Sequence, residues 1–250
     1  EKLKEIEEHR RKAQSLLPDT AEAYSLRAMT AVTVKEQLAA LDRALELDSR
    51  HYESRRLRAF TYYASRKYER LRDEALAMTI LQARDPLGHS LRATALRELD
   101  KYGEAIVEYD NAIALTLPTD PQHADWCVQR CETLLRMVDY ERVIADAQEY
   151  SQLWPDKPVF QYYAFSAMTA LGEYDMATTL FREIIAPGHE ARLQFRGWCT
   201  KYVFDTLAAG RSWHPPDRAP VGPAFLPTVE AEETYRTLSA KGRLMIRDGF

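Results

Sequence analysis

A short stretch built around one tyrosine returns along this chain at nearly constant spacing. That return limits what the chain can fold into more than any other feature. RKYERL carries Tyr68, DKYGEAI carries Tyr102, VDYERVI carries Tyr140 and GEYDMAT carries Tyr174, at intervals of 34, 38 and 34 residues. A second mark keeps the same period. Pro18, Ser49, Pro86, Pro118, Pro155 and Pro187 follow one another at 31, 37, 32, 37 and 32 residues. Self-similarity at a fixed period of roughly 20–50 residues marks an architecture of stacked supersecondary units.

The clearest unit runs from Leu91 to Pro118. Leu91, Ala95, Leu96 and Leu99 recur at helical spacing, and Asp100 and Lys101 interrupt them. A second helical run follows, with Ala105, Ile106, Tyr109, Ala112 and Ile113 on one face. The small residues Ala93, Ala105 and Ala112 let two antiparallel helices approach closely. Tyr102 stands at the turn, where its ring can wedge between neighbouring units. Pro118 cannot continue a helix and ends the unit.

This pattern resembles the tetratricopeptide repeat, a unit of roughly 34 residues. With Pro86 as its first position, the family's small residue falls on Ala93, its turn tyrosine on Tyr102, its alanine on Ala105, its aromatic on Tyr109 and its last alanine on Ala112. The resemblance implies an all-α fold. It would be an α-solenoid, a right-handed superhelix of about five helix-turn-helix repeats closed by a C-terminal capping helix, in which each unit touches only its neighbours.

Taken in order, 1–19 reads as a partial repeat or an N-terminal capping helix, with Ile6, Ala13, Leu16 and Leu17 on its apolar face. Repeats fill 20–189. In the first of them Thr20 is placed to cap a helix. The turn there is expected to be short, and it lacks the tyrosine. The second unit is unusually basic, with Arg55, Arg56, Arg58, Arg66, Lys67, Arg70 and Arg72, and is the best place to meet an acidic ligand. An inserted loop, Thr119 to His123, precedes the fourth unit. The capping helix is expected over 190–210, where Phe195, Trp198, Cys199, Tyr202 and Leu207 share a face. A proline-rich linker follows over 211–227, with five prolines between Trp213 and Pro227. A further element or domain begins over 228–250. The first residue is Glu1 rather than Met, so the chain reads as a piece of a longer protein.

Little here speaks for catalysis. The sequence holds no CxxC, no HExxH and no glycine-rich phosphate loop. Cys127 and Cys131 share a helix face, but they fall where a repeat packs its core, so they read as small buried residues rather than half of a metal site. His123 reads as a loop residue. No cofactor and no metal are expected, and the chain is not read as an enzyme. Three cysteines give no disulfide framework and suit a reducing, cytoplasmic setting. A net charge of -4 argues against nucleic acid as a partner, and no apolar run reaches membrane-spanning length.

The resemblance implies a function as well. Repeats of this kind bind partners in the concave groove made by their first helices. Transferred here, the groove takes Arg56, Leu57, Phe60 and Tyr63 from the second unit, and Leu91, Thr94 and Arg97 from the third. The fourth contributes Gln129, Glu132 and Arg136, and the fifth Tyr162 and Tyr163. Arginine and aromatic residues dominate binding energy at interfaces. The expected partner is a protein or peptide with apolar anchors and some acidic groups. Chaperones ending in EEVD are not expected, because the clamp positions hold Met29, Leu57, Leu87 and Leu91, or Phe60, Leu91, Asp125 and Gln129 one unit later. The function expected is a non-catalytic interaction scaffold. Two alternatives stand beside it: a docking or regulatory arm of an enzyme whose catalytic domain lies beyond residue 250, and a self-association module.

Overall fold

A left-handed residue closes the turn inside four successive helix pairs, and the architecture follows from it. In the computed structural model, Arg66, Asp100, Val138 and Gly172 have φ of 55°, 59°, 65° and 81°. Each stands two residues before one of the four tyrosines. The next N–H in each turn reaches back to close it: Lys67 to the Tyr62 carbonyl at 2.9 Å, Lys101 to Leu96 at 2.9 Å, Asp139 to Leu134 at 3.1 Å and Glu173 to Met168 at 2.9 Å. The left-handed residue donates inside that bond, as Arg66 does to Tyr63 at 3.0 Å. This double closure satisfies the last carbonyls of the first helix and reverses the chain within three residues. Tyr68, Tyr102, Tyr140 and Tyr174 then open the second helix of each pair.

The structure describes residues 18–185, with Lys2, Glu5, Ile6, Glu8, His9 and Lys12 near the N-terminus. The expectations for 190–210, 211–227 and 228–250, and most of those for 1–19, lie outside the described residues. Within them every regular element is helical. The helices are α1 (Ala21–Met29), α2 (Val34–Leu47), α3 (Tyr52–Ala64), α4 (Tyr68–Leu81), α5 (Pro86–Glu98), α6 (Tyr102–Ala114), α7 (Pro121–Arg136), α8 (Tyr140–Leu153), α9 (Pro158–Leu171) and α10 (Tyr174–Ile185). They gather in two compact units divided between Leu115 and Thr116. In the first, α1 to α6 pack each on the next, and α1 also meets α3. In the second, α7 to α10 do the same, and α7 meets α9. The division falls at the longest connection, Leu115 to Asp120, where the other connections between pairs have four residues.

The core is made where small residues let helices close up. Ala59, Ala75, Ala93, Ala95, Ala105, Ala112, Ala147 and Ala177 are fully buried, as is Tyr109. One cluster joins Ala59 and Tyr62 of α3, Leu71, Ala75 and Met78 of α4, and Leu91 and Ala95 of α5. Tyr68 packs against its edge, the wedge position the sequence suggests. Gly88 marks a close approach of α4 and α5: a Cβ there would stand 3.0 Å from the Thr79 Cγ2 and 3.2 Å from its backbone nitrogen.

Two expectations need correction. The first pair has a short helix rather than a short turn. α1 has 9 residues where α3 has 13, while Thr30 to Thr33 make a four-residue connection. Its second helix is started by the Thr33 hydroxyl, which accepts from the Glu36 N–H at 3.2 Å. Thr20 caps α1 as expected, accepting from Ala23 at 3.3 Å. His123 is not in a loop. Pro121 supplies the first helical residue, where its missing N–H costs nothing, so α7 begins earlier and carries His123 buried in its first turn. The ring accepts or donates at Thr116, 3.0 Å away, and lies 5.5 Å from the Trp154 ring.

The left-handed turns give a stability prediction. A β-branched residue is costly at positive φ, and glycine is not. Val138→Gly should stabilise the chain by about 1 kcal/mol, read as a higher urea midpoint at unchanged slope. Gly172→Ala should cost a similar amount, since nothing lies within 4 Å of the added carbon and only the backbone strain acts.

Candidate functional site

The faces carried by the first helix of each pair differ sharply between the two units. In the first unit, α1 and α3 are tied together by small polar side chains. Ser25 Oγ lies 2.5 Å from Ser54 Oγ, and both serines are buried. His51 caps α3, its Nδ1 lying 2.8 Å from Ser54 Oγ and taking the Ser54 N–H at 3.3 Å. The two helices therefore come close at a floor of serines. Both helices also carry larger apolar groups at the surface. Leu26 and Met29 follow Ser25 along α1 and are 52% and 61% exposed. Leu57, Phe60 and Tyr63 follow Ser54 at three-residue steps along α3. Leu57 is half-buried, and Phe60 and Tyr63 are 39% and 47% exposed. Large apolar side chains grouped at the surface mark interaction sites more often than scattered ones do.

The expected cations do not stand free on this face. Arg56 donates twice to Glu53, at 2.8 and 2.6 Å, and its guanidinium lies 5.8 Å from the Phe60 ring centre. That fork holds the Glu53 carboxyl below its usual range. Arg97 is buried and pairs with Glu98, at 3.1 Å for the closer nitrogen. Leu91, expected to line a groove, is buried in the core cluster, while Thr94 is half-buried and donates to the Ser90 carbonyl at 2.9 Å.

The basic cluster of the second pair is spent inside the fold. Glu74 of α4 is 5% exposed and accepts from Arg55 at 2.8 Å and from Arg58 at 2.5 Å. Arg58 also reaches Asp42 of α2 at 2.7 Å. Arg72 pairs with Asp73, and Arg70 lies over the Tyr62 ring at 5.9 Å. Arg66 and Lys67 form the turn. The central charges of the cluster, Arg55 and Arg58, are thus paired between helices, while Arg66, Lys67 and Arg70 remain exposed.

This arrangement repeats, and the repetition is visible in the sequence. Arg58, Arg92 and Arg130 recur at 34 and 38 residues, and Glu74, Glu108 and Asp146 recur at the same intervals. Each pair bridges the two helices of one repeat. Glu108 takes Arg92 at 2.8 Å and His89 at 2.7 Å, and Asp146 takes Arg130. In the last pair the places hold Ala164 and Leu180, and the rung is absent.

In the second unit the expected site residues are mostly enclosed. Glu132 is buried and pairs with Arg136 at 3.1 Å. Gln129 is half-buried. Tyr162 and Tyr163 are 3% and 2% exposed, and their rings lie 6.0 Å apart. Nearly the whole of α9 is buried, Phe160 through Met168, so its aromatic content builds core. Cys127 and Cys131 are fully buried thiols. Burial pushes Cys127 up to about 12 and Cys131 well above its ordinary value, which keeps both as inert thiols.

Two predictions follow from these charges and thiols. Glu74→Ala removes the acceptor shared by two half-buried guanidinium groups, leaving Arg58 its bond to Asp42 and Arg55 its bonds to the Ser49 carbonyl, and should cost about 2 kcal/mol in urea unfolding. Asp73→Ala, its exposed neighbour, should change stability by less than about 0.5 kcal/mol. Iodoacetamide at pH 8 should leave Cys127 and Cys131 unlabelled in the native chain and label both in urea, read by peptide mass mapping.

No protein-family model matches the chain, and no curated protein matches it by sequence. Solved structures do match. YrrB, described as a TPR protein with an unusual peptide-binding site, superposes with a TM-score of 0.58 at 17% identity, over 75% of this chain and 97% of its own. MamA superposes with a TM-score of 0.61 at 16% identity, over 70% of this chain and 94% of its own. Among the described residues no helix is long and apolar enough to cross a membrane. The left-handed turns opening on tyrosine, the buried alanines at the helix contacts and these superpositions agree: the chain has the tetratricopeptide-repeat fold, an all-helical array of α-solenoid type.

Proposed function

We propose that the chain is a non-catalytic protein-interaction scaffold whose binding surface is the face that α1 and α3 present in the first unit. The observation that carries this reading is the set of exposed apolar side chains there, Leu26, Met29, Phe60 and Tyr63, on helices whose other faces are packed. An exposed aromatic on a rigid helix contributes binding energy at little cost in conformational freedom. The fold gives the reading a frame, since one of its structural neighbours is described as having a peptide-binding site. In the second unit the groups expected to bind are enclosed, so we place the site in the first. No chemistry is assigned to the chain. The mechanism is reversible association.

Phe60→Ala with Tyr63→Ala tests this. Both side chains are substantially exposed, so the melting temperature should change little. In a pull-down from native lysate, a partner retained by the wild-type chain should fall by tenfold or more on the double substitution, the effect expected when anchors worth about 2 kcal/mol are removed. Retention at equal yield would move the site off this face.

A further inference from the structure

At the end of the first unit where α2 begins and α3 stops, apolar and basic groups stand together at the surface. We propose that this end docks on an anionic lipid surface: the turn at Val32 and Val34 enters the headgroup boundary, and Lys35, Arg66, Lys67 and Arg70 meet lipid phosphates. None of these residues is among those of the α1 and α3 face, so the contact does not depend on that reading.

The first observation is place. Arg58 donates to Asp42 at 2.7 Å and so joins α3 to α2. The short connection from Asp48 to His51 reverses the chain between the two helices. Val34 stands eight residues before Asp42, and Arg66 eight after Arg58. In antiparallel helices both therefore lie about 12 Å from the bridge, at the same end. Leu38 of α2, four residues from Asp42, packs on the cluster that holds Tyr62, four residues from Arg58, which agrees with this level.

The second observation is chemistry. Val32 is 74% exposed and Val34 49%. A valine so open stands clear of its neighbours and leaves no recess for a protein side chain to enter. The turn also closes its own polar groups. Glu36 takes the Val32 N–H at 3.2 Å, the Thr33 hydroxyl takes the Glu36 N–H at 3.2 Å, and the Thr30 hydroxyl donates to the Arg27 carbonyl at 3.1 Å. Leaving water therefore leaves fewer hydrogen bonds unmet in this turn. Beside it Lys35, Arg66, Lys67 and Arg70 are exposed, and none of them forms an ion pair among the described residues. Two exposed carboxylates, Glu36 and Glu69, stand with these four cations, an excess of two positive charges in a chain whose net charge is -4. At the next turn Lys101 is paired with Glu104 at 3.6 Å and Asp100 is exposed, so the basic surface ends with the second pair. One apolar element holds a membrane only weakly, and basic residues beside it supply the second signal that anchoring takes.

The test is flotation of the full chain with vesicles of phosphatidylcholine alone and of phosphatidylcholine with about one third phosphatidylserine. Partition into the anionic vesicles should be about tenfold greater or more, and should fall by a similar factor between about 50 and 500 mM NaCl. Two double variants separate the parts. Val32→Ser with Val34→Ser should lower partition about tenfold and keep the preference for serine lipid. Arg66→Asn with Lys67→Gln should erase that preference, and asparagine keeps the left-handed turn accessible. Both variants should match the wild type in far-UV circular dichroism and melting temperature, since all four side chains are exposed. Equal partition into the two kinds of vesicle, or no flotation, would overturn the inference. So would flotation that either pair leaves unchanged. Capture on immobilised polyglutamate without flotation would give the basic turn to an acidic protein and overturn it as well.

Discussion

The structure depends on a turn in which one residue goes left-handed and the next N–H reaches back across it. Without that closure the last carbonyls of the first helix would be unsatisfied, and the second helix would leave at another angle. Four copies of the turn, at Arg66, Asp100, Val138 and Gly172, place four tyrosines at the start of four second helices. The helix pairs then bury alanines such as Ala59, Ala75 and Ala95 among larger core side chains. The first pair lacks the turn and the tyrosine, and its first helix is four residues shorter than that of the second pair.

A second device works with the turn. In three pairs a carboxylate on the second helix, buried at Glu74 and Glu108 and half-buried at Asp146, takes the guanidinium of the first. The desolvation of such charges is large and is repaid only when their hydrogen bonds are met, as Glu74 meets its own with two arginines. The rungs fix how the two helices of a pair face one another. They also withdraw charge from the surface. What remains exposed on α1 and α3 includes Leu26, Met29, Phe60 and Tyr63 beside the Arg56–Glu53 pair.

Much of this was legible in the sequence, because tyrosine at a fixed interval and alanine at helix contacts are marks that need no tertiary information. The pairing of helices, their order and the starts of most of them could be read from Tyr68, Tyr102, Tyr140 and Tyr174. The left-handed turns were hidden, since only Gly172 advertises positive φ, while arginine, aspartate and valine stand in the other three places. The rungs were present as a second 34 and 38 pattern, but single-helix reasoning cannot see that Arg58 and Glu74 face each other across a turn. The helix start at Pro121 was obscured by the proline, which reads equally as a loop. The enclosure of Tyr162 and Tyr163 was out of reach for a different reason: an aromatic on a first helix can serve core or surface, and only the packing of α9 decides.

The central claim is that association takes place on the face of α1 and α3, and hydroxyl-radical footprinting tests it most directly. Met29, Phe60 and Tyr63 are exposed and are among the side chains most readily oxidised, so they report on their own burial. On addition of a saturating amount of the partner recovered in the pull-down, the account predicts strong protection of these three. It predicts unchanged oxidation at Ile80 and Val107, which are exposed on the second helices. Protection at Ile80 and Val107 with Met29, Phe60 and Tyr63 still oxidised would contradict it.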